Sequence, residues 1–126
     1  MRPGLTLDAG GLIAIDRDDR RILVLLARAK QTNAVVTIPA SALAQAVRRP
    51  DRQARLSRLI RQPLTNVVPL DRVDAVSVGR LLAASGTADV VDAHVVICAR
   101  RSRQKVVTSD AGDLQRLDPS LEVVAI

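Results

Sequence analysis

Not one phenylalanine, tyrosine or tryptophan occurs in the 126 residues, although 48% of them are hydrophobic. The core must then be built of Val, Leu, Ile and Ala, through many small contacts rather than a few rings. Any nucleic-acid partner would be met without aromatic stacking. A single cysteine, Cys98, excludes an internal disulfide and any multi-cysteine zinc site. No uninterrupted apolar run approaches the roughly 18–20 residues of a membrane span. Asp8, Gly10 and Gly11 also interrupt the early stretch in which a signal peptide needs its apolar segment. The expectation is one soluble, cytoplasmic domain over residues 1–126, long enough for a real core. Lysine and glutamate are scarce as well. Only Lys30 and Lys105 among the 19 basic residues are not Arg, and only Glu122 among the 13 acids is not Asp. The net charge of +6, carried on guanidinium forks, suits phosphate. An arginine-rich genome accounts for it equally well.

What is present alternates between short β-branched runs and helical patterns. Leu5 to Leu7 reads as a buried strand with Asp8 at its carboxyl end, and Gly10-Gly11 open a helix. Asp16 to Asp19 mark the start of a helix over residues 20–31. Strand two follows at 34–38. Pro39 suits a first helical turn, so a helix is expected over 39–49. Another, capped by Asp51, runs to residue 62, with Leu56, Leu59 and Ile60 on one side and Arg55, Arg58 and Arg61 on the other. Strand three is read at 66–70, then a helix over 73–84 capped by Asp71. Asp89 opens a helix that is apolar nearly all round and therefore buried on most sides. Strand four is read at 105–108, a short helix follows Asp110, and strand five covers 121–126. Five strands separated by helices imply an α/β fold with a parallel sheet and helices on both faces. Right-handed crossovers put every strand's carboxyl end on one edge.

That edge is where the acids collect. Asp8 follows strand one, Asp110 follows strand four with Asp113 one turn on, and Asp89 and Asp92 sit in the first turn of the buried helix. If strands one and four are neighbours, Asp8, Asp92 and Asp110 share the edge. Carboxylates gathered without a cation repel and rise in pKa. A hard divalent ion, Mg²⁺ or Mn²⁺, removes that repulsion and can direct water at a phosphodiester. Capping alone explains Asp8, Asp89 and Asp110 too, because each precedes a helix. Asp16, Asp51, Asp71 and Asp74 read as caps or solvated charges.

Three segments, Leu7-Asp8-Ala9-Gly10, Asp89-Val90-Val91-Asp92-Ala93-His94 and Val107-Thr108-Ser109-Asp110-Ala111-Gly112-Asp113-Leu114, resemble the acidic blocks of the PIN-domain family. Its VapC-type toxins of bacterial toxin–antitoxin pairs are the members suggested. The resemblance spans almost the whole chain. It implies a PIN-like α/β/α sandwich with a five-stranded parallel sheet and strand one central, Mg²⁺ or Mn²⁺ dependence, endoribonuclease activity, a homodimer and a VapB-like antitoxin partner. It also implies that Asp8, Asp92 and Asp110 hold the metal, with Asp113 assisting. One position departs from the pattern: where the family usually carries Glu in the helix after strand two, this chain has Gln45. The loss of one negative charge weakens ion binding, so a catalytically weak RNA- or protein-binding module stands as the alternative.

The remaining signals are smaller. Thr6, Thr108 and Ser109 carry hydroxyls able to bond site carboxylates or, equally, turn backbone. Arg48, Arg49, Arg52 and Arg55, continued by Arg58 and Arg61, form the basic series best suited to RNA phosphates; a solvated helix face is the alternative. His94 lies about 200° round the helix from Asp92 and reads as a packed or solvent-bridging residue. Cys98 reads as core. Gly10-Gly11 lacks the third glycine of a dinucleotide fingerprint.

Overall fold

The computed structural model describes residues 4–126. Five parallel strands, β1 (Leu5–Leu7), β2 (Val36–Pro39), β3 (Thr65–Val68), β4 (Lys105–Thr108) and β5 (Val123–Ala125), form one sheet in the order β3-β2-β1-β4-β5. Around it lie α1 (Ala9–Asp16), α2 (Arg20–Gln31), α3 (Ala40–Ala46), α4 (Ala54–Ile60), α5 (Arg72–Ser85), α6 (Val90–Ser102) and α7 (Ala111–Leu117), with a 3₁₀ turn at Pro50–Arg52. β1 is central, and strand order reverses across it. A crevice at the carboxyl ends of such strands is where open α/β sheets build sites. No single helix among the described residues is long and apolar enough to cross a membrane.

The core is as aliphatic as the composition demanded. Leu7, Ile38, Val106 and Val107 from the strands meet Leu12, Ile15, Ile22, Leu56, Val95, Val96 and Leu114 from the helices, all buried. Burying each such side chain contributes about 1.5–3 kcal/mol before entropy is counted. α6 is sunk into this layer, with Ala93, His94, Val95, Val96, Cys98 and Ala99 all buried.

Register decides what lies beside Asp8. Leu7 pairs with Val107, so the next residue on each strand, Asp8 and Thr108, come side by side at the edge. Gly10 and Gly11 let the first turn of α1 press against β4. A Cβ at Gly10 would stand 2.3 Å from Ser109 Oγ, and one at Gly11 would stand 2.9 Å from the Val107 carbonyl oxygen.

Two expectations about helices are corrected. Pro39 is not the first residue of a helix; it is the buried last residue of β2, paired with Val68, and α3 starts after it. Nor does one helix run over 51–62. The chain makes the 3₁₀ turn, pauses at Gln53 and only then forms α4. Asp51 sits exposed in that turn and caps nothing. Buried Gln53 is the reason for the break. Its Oε1 accepts from the Arg48 and Arg49 amides at 3.1 and 3.2 Å, and its Nε2 donates to the Ala46 carbonyl at 2.8 Å and to Asp16 Oδ2. One side chain thus satisfies the end of α3 and two turn amides together, a continuous helix being the lesser gain.

Candidate functional site

Five carboxylates stand at the carboxyl edge, and the helices that start there hold them. Asp8 is the N-cap of α1: its Oδ1 accepts from the Gly11 amide at 2.8 Å. Asp89 caps α6 by accepting from the Asp92 amide at 2.9 Å, and Asp110 caps α7 by accepting from the Asp113 amide at 3.4 Å. Capping, one of the two readings the sequence offered for these acids, is thus observed for all three. An N-cap carboxylate uses one oxygen on its helix and has lone pairs left for a second partner.

Thr108 organises the middle. Its hydroxyl donates to Asp8 Oδ2 and accepts from the Asp110 amide at 2.9 Å. Asp8 is buried, Asp92 is half-buried, and Asp89, Asp110 and Asp113 face solvent, so the group grades from a dry floor to a wet mouth. Burial pushes the Asp8 carboxyl up; bonds from Thr108 and Gly11 offset part of that push, and the Asp110 charge adds to it. Asp92 is pushed up to about 6, first by burial and then by the charges of Asp89, Asp8, Asp113 and Asp110. Asp113 is also raised, through a hydrogen bond shared with the Asp110 carboxyl and then by its charge. Asp92 thus feels the charge of the other four acids. Among the described residues only Arg116, 3.7 Å from Asp113, comes within ion-pair range of any of them.

Other expectations divide. Ser109 lies against Gly10, beside Asp110. Gln45 is exposed on the second turn of α3. Thr6 does not bond a carboxylate; fully buried, its hydroxyl donates to Gln104 Oε1 at 2.8 Å. The basic series is not one helical face. Arg48 folds back on α3, donating to the Ala44 and Val47 carbonyls at 2.9 and 3.0 Å, and Arg55 pairs with Asp18 at 2.8 Å, while Arg49 and Arg52 are exposed. Gln53 and Arg55 are tied to Asp16 and Asp18 at the far end of α1. That helix of 8 residues separates the series from Asp8 by about 12 Å.

Asp74 and Asp16 are neither caps nor solvated charges. Asp74 is buried in α5, where both oxygens meet Arg101 at 2.8 and 2.9 Å and Oδ2 also meets His94 Nε2 at 2.9 Å. Arg101, and then His94, hold its carboxyl down at about 2. Asp16 has one oxygen on Gln53 and a buried Oδ1 without a partner.

Asp74, His94 and Cys98 bring ligand atoms within 4.8 Å of one another, tighter than the edge carboxylates stand among the described residues. This group could hold a metal by distance, yet Arg101 already occupies its cation position. Burial also pushes the Cys98 thiol up to about 11, far from the thiolate a soft metal takes. The edge carboxylates have the opposite character: hard oxygen donors, largely open, with excess negative charge.

No family model and no curated protein matches the sequence. Among solved structures the chain is similar to FitAcB from Neisseria gonorrhoeae, with a TM-score of 0.61 and 18% identity over 94% of this chain and 95% of that one. The architecture is PIN-like. At that identity the likeness is one of fold, and it covers most of both chains.

Proposed function

We propose that the chain is a divalent-metal-dependent endoribonuclease of the VapC-like PIN class, the toxin of a toxin–antitoxin pair acting in the cytoplasm. The observation that carries this reading is the placement of Asp8, Asp89, Asp92, Asp110 and Asp113 at one edge of the sheet, with Asp8 and Asp110 joined through Thr108 and Asp92 feeling the charge of the other four. A donor set of hard carboxylate oxygens with one marginal countercharge fits Mg²⁺ or Mn²⁺. Asp8, Asp92 and Asp110 would hold the ion, with Asp113 assisting and Asp89, Ser109 and Gln45 lining the site. Bound there, the ion orients a water and stabilises charge developing on a phosphodiester. Asp8 is held by Gly11 and Thr108, Asp110 is tied to it through the same Thr108 hydroxyl, and Asp89 and Asp113 are exposed to solvent, from which a phosphate would approach. Arg48, Arg49, Arg52 and Arg55 would meet the backbone of an RNA long enough to reach past α1.

Two surfaces support the protein partners of this reading. A groove of about 790 Å³ has an apolar floor of Leu23, Leu26, Leu59 and Leu64, with Lys30 and Arg58 at its rim. It suits an apolar, acidic segment of an antitoxin. Val73 and Val76 stand exposed on α5 and Val90 at the start of α6, apolar surface for a homodimer to cover. The second reading, a weakly catalytic binding module, is favoured by the uncharged, exposed Gln45.

The deciding experiment is cleavage of total RNA under Mn²⁺ and Mg²⁺ titration. Wild type should cut in a metal-dependent way, and Asp8→Asn and Asp92→Asn should lose at least a hundredfold in rate. Undiminished cutting by either variant removes the nuclease reading. Metal-dependent RNA binding without cutting selects the binding module.

A further inference from the structure

The sequence treats α3 as an ordinary helix, but its N-terminal end is poorly secured by its own residues. Pro39 precedes it and supplies no side-chain cap. At the other end Gln53 and Arg48 hold the Ala46 and Ala44 carbonyls. At the N-terminal end the side-chain tie comes from another helix: Ser41 Oγ lies 3.3 Å from His94 Nδ1.

His94 is fully buried, and its ring is committed on both sides. Nε2 donates to the ionised Asp74 carboxylate at 2.9 Å, and Nδ1 shares a hydrogen bond with the Ser41 hydroxyl at 3.3 Å. Asp74 is in turn clamped by both arms of Arg101. A chain of contacts therefore runs Arg101–Asp74–His94–Ser41, joining α6 to α5, back to α6 and out to α3. His94 is two residues after Asp92 on α6, and Gln45 is four residues after Ser41, on the same side of α3.

We propose that His94 is a positioning residue: its ring anchors the first turn of α3 to the Asp74–Arg101 pair and so fixes α3, which carries Gln45, against α6, which carries Asp92. Its geometry stands without any assumption about activity; its consequence for the carboxylate site rests on the nuclease reading. The ring touches no edge carboxylate. It acts through the placement of two helices.

Amide hydrogen exchange over residues 40–46 is to be followed in wild type, Ser41→Ala, Ser41→Thr and His94→Gln, beside Mn²⁺ titration by calorimetry. A lost hydrogen bond of this kind predicts exchange about five- to tenfold faster in that segment for Ser41→Ala. Its global unfolding constant should rise by no more than that same factor of about five to ten, because the one native bond is lost to both kinds of opening. Ser41→Thr, which keeps the hydroxyl, should restore slow exchange. His94→Gln keeps an amide donor for Asp74 but withdraws the Nδ1 partner from Ser41, so it should loosen the same segment. Mn²⁺ affinity should weaken severalfold in Ser41→Ala and recover in Ser41→Thr. Exchange in Ser41→Ala within twofold of wild type, or no rescue by Ser41→Thr, overturns the proposal. A wild type that takes up no Mn²⁺ instead sinks the nuclease reading, while the exchange comparison still decides the role of His94.

Discussion

Thr108 gives its hydroxyl proton to Asp8 across the β1–β4 pair, a bond between residues one hundred positions apart in the chain. The same oxygen accepts the Asp110 amide, so one small side chain joins two acids that would otherwise only repel. Thr108→Val keeps the shape and removes the hydroxyl. It leaves Asp8 with a buried oxygen lacking its donor, and the expected loss in urea unfolding is about 2 kcal/mol. Thr108→Ser should retain most of the stability.

The raised Asp92 carboxyl makes the metal-free protein sensitive to pH. The unfolded chain ionises it near 3.8 and the folded one near 6. Between those values the folded state binds more protons, so this group's contribution to stability falls as pH rises through the window and is level above it. Asp92→Asn should flatten that slope in urea titrations at successive pH values. On the proposed metal-binding role of Asp92, Mn²⁺ competes with the same proton, and its affinity should climb through about pH 6 and then level off.

Asp74 behaves in the opposite sense. Held at about 2 against 3.8 unfolded, its stabilisation is complete above 3.8 and is lost as pH falls through 2. Arg101→Ala leaves a buried carboxylate with His94 as its remaining side-chain partner. Because the Arg101 side chain is itself about half exposed, the expected cost is reduced by screening to about 2 kcal/mol. The acid-unfolding midpoint should move to higher pH.

Gln45→Glu introduces the charge that the PIN-domain pattern, which the sequence resembles, carries at this position. If α3 presents that position to the carboxylates, Mn²⁺ affinity in calorimetry should rise on the order of tenfold. An unchanged affinity would mean that the side chain points elsewhere.

Much of this was legible because it is local. β4 follows from Lys105-Val106-Val107-Thr108, a β-branched run with a charge before it, and its bounds match. Asp19, Asp71 and Asp89 announce their helices because an N-cap acts within three residues. What stayed hidden depends on partners distant in sequence. Gln53 looks like any polar residue of a helix until Asp16 and the end of α3 come to it. Asp74 sits in a first helical turn, where an acid normally needs no explanation, and only the fold brings Arg101 and His94 against it. Thr6 was drawn away by Gln104, 98 positions on. The candidate site fell between these cases: its acids were visible one block at a time, while their meeting depended on β1 lying beside β4.

That adjacency has a consequence for synthesis. β1 sits in the middle of the sheet, yet its neighbour β4 is made about a hundred residues later. On a ribosome, Asp8 is made about a hundred residues before Thr108 and Asp110 emerge to meet it, and contacts of such long loop closure form slowly. Nascent or truncated chains ending before Lys105 hold only part of the acidic constellation, so these carboxylates share an edge only once β4 has been made and has paired with β1.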